Sequence, residues 1–132
     1  MEITYQIDHK PSTEQIISLY ESSGIKRPTQ DFGRITKMYQ HSNLIISAWD
    51  HGQLVGIARS LTDFCYCCYL SDLAVSEAYK HKGIGKKLLD LTREQIGNQT
   101  TLILLSAPNA MEYYPKVGFD KILNGYIIHR TE

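Results

Sequence analysis

A chain of 132 residues, 42% apolar and 21% charged, is long enough to bury a core and has the make-up of a water-soluble globular domain. Its 14 basic and 14 acidic side chains cancel, which removes electrostatic support for a nucleic-acid or membrane-surface role. No stretch approaches the ~20 consecutive apolar residues of a bilayer span, and "MEITYQIDHK" lacks the basic leader and apolar block of a signal peptide, so one cytoplasmic domain over 1–132 is expected.

The elements follow in chain order. Glu2 to Ile7 alternates and predicts a short strand. Ser12 with Gln15 three residues on forms a capping box, and Ile16, Leu19 and Tyr20 give the stripe of a helix that stops near Gly24. A second helix is predicted over Asp31 to Gln40, burying Phe32, Ile35, Met38 and Tyr39. "NLIISAWD", "HG" and "QLVGIARSL" predict a hairpin. "CYCCYLSDLAV" reads as a long, mostly buried strand. A helix from Gly83 to Ile96 follows, with Gly97 as its stop. "TLILLS" predicts a strand, "NAMEYYPKV" a short helix broken near Pro115, and "GFDKIL", "NG" and "YIIHR" a closing hairpin. The order predicts a mixed α/β fold with an antiparallel front half and a helical crossover behind Val75.

Cys65, Cys67 and Cys68 are clustered and odd in number, a poor disulfide framework that fits a reducing compartment. They fall short of the four ligands zinc wants, and the five histidines are scattered, so packing cysteines and no metal site are expected. Trp49 reads as core.

Lys80 to Lys87 packs four lysines, one histidine and two glycines into eight residues. A strand end, a loop and a helix start place unpaired amides and partial positive charge there. Gly83 and Gly85 let a ligand approach the backbone, and Lys80, Lys82, Lys86 and Lys87 add positive potential, which suits phosphate. Lysine at 80 and 87 excludes a P-loop, and Leu88 stands where a dinucleotide fingerprint needs its third glycine. A solvated basic helix start is the alternative.

"DLAVSEAYKHKGIGKKLL" resembles the acetyl-CoA signature Q/R-x-x-G-x-G/A of the GNAT superfamily of N-acetyltransferases, here Lys80-His81-Lys82-Gly83-Ile84-Gly85, with lysine at the first position. "NAMEYYPKVGF" resembles the family segment A-x-x-F-Y-x-K-x-G-F, on Ala110, Tyr113, Tyr114, Lys116, Gly118 and Phe119. "LVGIARSLTDF" is similar to the family's VG-x-x-R strand. The resemblance spans nearly the whole chain. It implies a GNAT fold: a central mixed, mostly antiparallel sheet, splayed at a bulge and flanked by about four helices. Acetyl-CoA (coenzyme A) would lie in the gap. Pantetheine would run along Leu73, Ala74 and Val75, and pyrophosphate would sit on the amides from about Lys82 to Lys87, with His81, Ile84 and Asn109 beside the cofactor.

The implied activity is transfer of an acetyl group from acetyl-CoA to a primary amine, on a small molecule or a peptide, by direct attack in a ternary complex. A catalytically silent acyl-CoA-binding sensor or scaffold is the alternative. No nucleic acid or membrane partner is implied, and the resemblance admits a homodimer. Tyr114 matches the general acid beside the sulfur. A tyrosine near ~10 donating to a thiolate near ~8.5 is uphill by ~1.5 units, about 2 kcal/mol, small beside a catalytic barrier. Tyr113 reads as a core aromatic. Asp72 either accepts the amine proton, anchors the ammonium, or bonds a neighbouring strand or loop; Asp63 and Glu112 are further acidic groups. Arg59 contacts a substrate anion or pairs with Asp63. Lys26 and Arg27 either favour an anionic amine or are solvated loop charges.

Overall fold

The computed structural model describes residues 2–132. Five strands form one sheet in the order β1-β2-β3-β4-β5: β1 Thr4–Ile7, β2 Leu44–Asp50, β3 Gln53–Thr62, β4 Cys67–Val75 and β5 Thr101–Leu104. The first three pairings are antiparallel and β4 with β5 is parallel. Helices α1 (Thr13–Ser23) and α2 (Phe32–Gln40) lie between β1 and β2 in sequence, α3 (Ile84–Ile96) makes the crossover from β4 to β5, and α4 (Tyr113–Lys116) follows β5. Single 3-10 turns cover Glu77–Tyr79 and Pro108–Ala110. No helix among the described residues is long and apolar enough to cross a membrane.

Local chemistry accounts for the helices. The Ser12 hydroxyl accepts from the Gln15 amide at 3.2 Å, and the Gln15 side chain accepts from the Ser12 amide at 2.9 Å, which completes the capping box. Gly24 ends α1 in the left-handed region (φ 82°). The Asp31 carboxylate caps α2 through the Arg34 amide. Phe32, expected inside, is 53% exposed because it opens the first turn of α2, before the face carrying Ile35 and Tyr39 reaches the sheet.

The sheet is covered on both faces. Ile84, Leu88, Leu89 and Ile96 of α3 pack with Leu44, Ile46, Ala48, Ala58, Cys68 and Leu70 on one face. Ile16, Leu19 and Tyr20 of α1 and Ile35 and Tyr39 of α2 pack with Ile45, Trp49, Leu54, Ile57 and Ala74 on the other. This explains the unbroken apolar run of β2, whose residues Leu44 to Trp49 are all buried. Gly56 lies directly under α3: a Cβ there would lie 3.0 Å from Ile84 and 3.2 Å from Leu88.

Three expectations are corrected. Cys65 and Cys67 are exposed and only Cys68 packs. Residues 63–66 form a turn held by Asp63, whose carboxylate accepts from the amides of Cys65, Tyr66 and Cys67, so β4 starts two residues later than its composition suggests. The closing hairpin is not formed. Residues 118–132 hold no strand, and Leu123, Tyr126 and Ile128 are almost fully exposed. An Asn-Gly turn gives a hairpin its corner but not a face to bury, and two strands alone are marginal in water.

Candidate active site

The sheet opens at one residue. Arg59 pairs with Asp72 across β3 and β4, and the next pair is Ser60 with Leu70, so Ser71 is an extra residue in β4, a β-bulge. On its other side β4 pairs with β5 only from Cys67 to Leu70. Beyond the bulge, Asp72 to Val75 have no β5 partner, and the chain after Leu104 departs toward the 3-10 turn at Pro108. The two parallel strands therefore splay, and a cleft of about 1220 Å³ opens between them, reaching from Leu73 and Ala74 past Asn109 and Tyr114 to the α1–α2 loop.

Two arginines hold the bulge. Arg59 Nε donates to Asp72 Oδ2 at 2.7 Å and its Nη2 to the Ser71 hydroxyl at 2.9 Å. Arg27, from the α1–α2 loop, donates from Nε to Asp72 Oδ1 at 2.6 Å and from Nη2 to the Ser71 carbonyl at 2.7 Å. The Tyr20 hydroxyl donates to Asp72 Oδ2 at 2.5 Å, and the Ser71 hydroxyl donates to Oδ1 at 3.1 Å. Asp72 therefore accepts four hydrogen bonds, the full capacity of a carboxylate. Because Tyr20 has spent its only proton, the 2.5 Å bond between Tyr20 and Tyr39 must run from Tyr39 to Tyr20.

Burial alone would raise the Asp72 carboxyl, but the hydrogen bond and charge of Arg59, the charge of Arg27 and the Tyr20 bond outweigh it and hold the group below the ordinary carboxylate range. Burial, reinforced by the neighbouring tyrosine and carboxylate, pushes Tyr20 far above the usual phenol value. Arg59 thus pairs with Asp72 and not with Asp63. Arg27 is a half-buried clamp and not a solvated loop charge. Of the three readings of Asp72, the bonding one describes its contacts. The sequence marks Tyr20 and Tyr39 only as core and Arg27 only as a loop charge, since Tyr20 and Arg27 reach Asp72, and Tyr39 reaches Tyr20, through the tertiary fold alone.

The glycine turn lies where β4 runs into α3. His81 (φ 65°) and Gly83 (φ 82°) are both left-handed, and Gly83 is the N-cap of α3 with no side chain to satisfy the first amides. A Cβ on Gly85 would sit 3.4 Å from the Tyr113 hydroxyl and 3.9 Å from Val75, so this glycine faces the end of β4 and α4. Lys80 turns back to Glu77 at 2.9 Å and to the Ser23 carbonyl at 2.8 Å, and Lys86 pairs with Asp90 at 3.0 Å. Lys82 and Lys87 are exposed and make no ion pair among the described residues.

Tyr114 lines the cleft together with Leu73, Ala74 and Asn109. Its ring is held edge-on by Phe119 at 5.5 Å and by Tyr113 at 5.3 Å. Its hydroxyl makes no hydrogen bond among the described residues, and burial raises its pKa, so it carries its proton throughout the neutral range. Tyr113 turns instead toward Gly85. Asp63 is committed to the turn amides, and Glu112 lies outside the cleft lining.

A profile for the acetyltransferase (GNAT) domain matches residues 13–127. The chain belongs to the GNAT acetyltransferase family. An uncharacterized N-acetyltransferase, ycf52, of Porphyra purpurea is 28% identical over 127 residues, spanning 86% of this chain and 71% of that protein. Among solved structures, the GNAT family protein SP0256 of Streptococcus pneumoniae is 23% identical, with a TM-score of 0.78 over 99% of this chain and 100% of that one. The aminoglycoside N-acetyltransferase AAC(6')-Iy, solved with CoA, is 13% identical, with a TM-score of 0.73 over 98% and 95%. At these identities the two structures speak for the fold, which is that of the GNAT family. The VG-x-x-R match now has a physical meaning here: Gly56 admits α3, and Arg59 grips the bulge.

Proposed function

We propose that this GNAT chain is an acetyl-CoA-dependent N-acetyltransferase that acts on a primary amine by direct attack in a ternary complex. The observation that carries this reading is a cleft lined by the unpaired edge of β4 and by a protonated tyrosine with no hydrogen-bond partner, with the uncapped start of α3 following at the end of the same strand.

The residues present fit coenzyme A. The unpaired edge of β4 from Leu73 to Val75 offers main-chain partners to the amide groups of a pantetheine arm. The helix start has free amides up to Lys86, the Lys87 amide donating to the Gly83 carbonyl at 3.0 Å, with left-handed residues at 81 and 83 and no Cβ at Gly83 or Gly85 to hold a pyrophosphate away. Lys82 and Lys87 add charge without competing carboxylates, and Asn109 borders the cleft. Lys80 does less than its place in the motif implies, because Glu77 and Ser23 occupy it.

When bound, acetyl-CoA supplies an activated acetyl carbonyl and a thiolate leaving group. The protein's share is to orient and to move protons. The main-chain amide near Val75, on the edge of β4 without a β5 partner, would stabilise developing negative charge on a carbonyl oxygen. Tyr114 holds a proton at its hydroxyl, raised by burial and available to a departing anion. Asp72 acts through Ser71: it fixes the bulge and hence the gap, and its four acceptor sites are already filled, so it serves as a positioning residue.

Release of free thiol from acetyl-CoA with a panel of primary amines tests the reading. Amine-dependent release is expected. Coenzyme A binding with no release on any amine would instead favour the silent sensor or scaffold. The three free thiols accord with a reducing, cytoplasmic setting.

A further inference from the structure

The cleft carries a charge asymmetry that the chain as a whole lacks. Away from the glycine turn it is walled by the α1–α2 loop, α2 and the C-terminal segment, which contribute Lys26, Arg27, Arg34 and Arg130, with Arg59 behind them. The one acidic side chain lining the cleft is Glu132. Asp72 does not offset this wall, since it is fully buried and shared by two guanidiniums, which leaves one positive charge in surplus. Arg34 donates to the terminal main-chain oxygen of Glu132 at 3.3 Å, and Lys26 and Arg130 make no side-chain hydrogen bond or ion pair among the described residues. Lys26 and Arg130 thus face the cleft with no partner among the described residues, and Arg34 with only the terminal oxygen of Glu132, in a chain of zero formal net charge.

Two consequences follow. A polycationic acceptor would meet a wall in which like charge outnumbers Glu132, so the aminoglycoside in the name of one structural neighbour is a poor guide here. An anionic group on the acceptor would find guanidiniums able to bind it bidentately. The same wall also lowers the pKa of an amine held beside it, since nearby positive charge disfavours the ammonium. That matters in this cleft because Asp72 has no lone pair left to take the amine's proton.

Resting on the acetyltransferase reading above, we infer that the acceptor is a primary amine that also bears a carboxylate or phosphate, bound by Arg34, Arg130 and Lys26.

The test compares matched acceptors on the full chain: β-alanine against its amide, O-phosphoethanolamine against ethanolamine, and spermidine as a polycation. Initial rates of thiol release are read at low and high salt. The anionic member of at least one pair should exceed its neutral twin by about tenfold or more in kcat/KM, with the ratio shrinking in salt. Which pair responds distinguishes carboxylate from phosphate. In Arg34→Gln/Arg130→Gln that ratio should collapse toward one through a higher KM for the anionic amine. Lys26→Gln, a change at an exposed loop side chain, should lower the ratio in the same direction and guards against misfolding of the double variant. Equal rates within both pairs, spermidine as the best acceptor, or a ratio unmoved in both variants overturns this inference and leaves acetyl transfer standing. No thiol release with any amine, alongside measurable coenzyme A binding, removes acetyl transfer and the inference with it.

Discussion

Arg59 and Asp72 face each other at the register pair beside the bulge, and their 2.7 Å bond ties β3 to β4 where β4 parts from β5. The ion pair, the bulge and the cleft are one structure. An aspartate on a reaction strand invites a catalytic role, yet here two guanidiniums and two hydroxyls already fill it.

Breaking that cluster should cost both stability and shape. Asp72→Asn leaves two arginines facing a neutral amide, and removing one partner from a buried pair costs about 3–5 kcal/mol. A fall in Tm of roughly 10 °C or more is expected. Acid should mimic the substitution. The Asp72 carboxyl is depressed in the folded state, so its contribution is whole above the unfolded value near ~3.9 and is lost as pH falls below it toward the folded value. Thermal melts from neutral pH into acid should therefore decline less steeply for Asp72→Asn than for the parent. Parallel declines would show that Asp72 is not the titrating group.

Tyr114→Phe keeps the ring against Phe119 and removes only the hydroxyl. Its contact with a leaving group strengthens as the bond breaks, so kcat should fall while acetyl-CoA binding holds. General acids contribute about 10²-fold or more, and a thiolate leaves fairly well unaided, so the low end is expected. Tyr113→Phe, whose hydroxyl points at Gly85 and not into the cleft, should leave kcat near that of the parent. Steady-state kinetics under chemistry-limited conditions decide it, and the reverse ranking of the two variants would assign the acid to Tyr113.

The glycine turn predicts two separable failures. Gly83→Val forces a β-branched residue to φ 82° with open space around it, so the cost is backbone strain of about 1–3 kcal/mol. Gly85→Val meets the Tyr113 hydroxyl instead, and adds bulk where an anion should approach. Both should weaken coenzyme A by about tenfold or more, or 1.4 kcal/mol, in calorimetry. Unchanged binding in both folded variants would place the pyrophosphate elsewhere.

Gly56→Val carries the same question into the core. Its methyls would press on Ile84 and Leu88, and overpacking of this kind costs about 1–3 kcal/mol. Because Ile84 is the first residue of α3, the displacement should reach the anion site. A lower Tm with weaker coenzyme A binding is expected, though Gly56 lines no part of the cleft. Lost stability with intact affinity would show that α3 can shift without disturbing its own N-terminus.

Much of this was readable in the sequence. The capping box at Ser12, the hairpin through His51-Gly52 and the glycine turn are local signals, set by residues a few positions apart, and each appears where expected. Asp72 was legible as a residue of interest but not as a saturated one. Its partners lie 13, 45 and 52 positions away, and no periodicity links Arg59, Arg27 and Tyr20 to it. The same limit explains the missing closing hairpin. Alternation and an Asn-Gly turn are local, whereas the face that residues 118–132 would bury has to come from the rest of the fold. The exposed cysteines have a different reason: Asp63 gathers the amides of residues 65 to 67 into a turn, and composition carries no sign of that.

Residues 120–132 contribute Arg130 and Glu132 to the cleft but no strand to the sheet and no backbone rung to its ladder. The two duties of the cleft are therefore unequally anchored. The half that Ser71 and Asp72 define is tied to the folding core, and drift there is punished by unfolding. The half that the C-terminal segment borders is nearly free of that burden. Under the acetyl transfer proposed above, lineages descended from such a chain would keep one donor site while trading acceptors, with the divergence concentrated in residues 120–132.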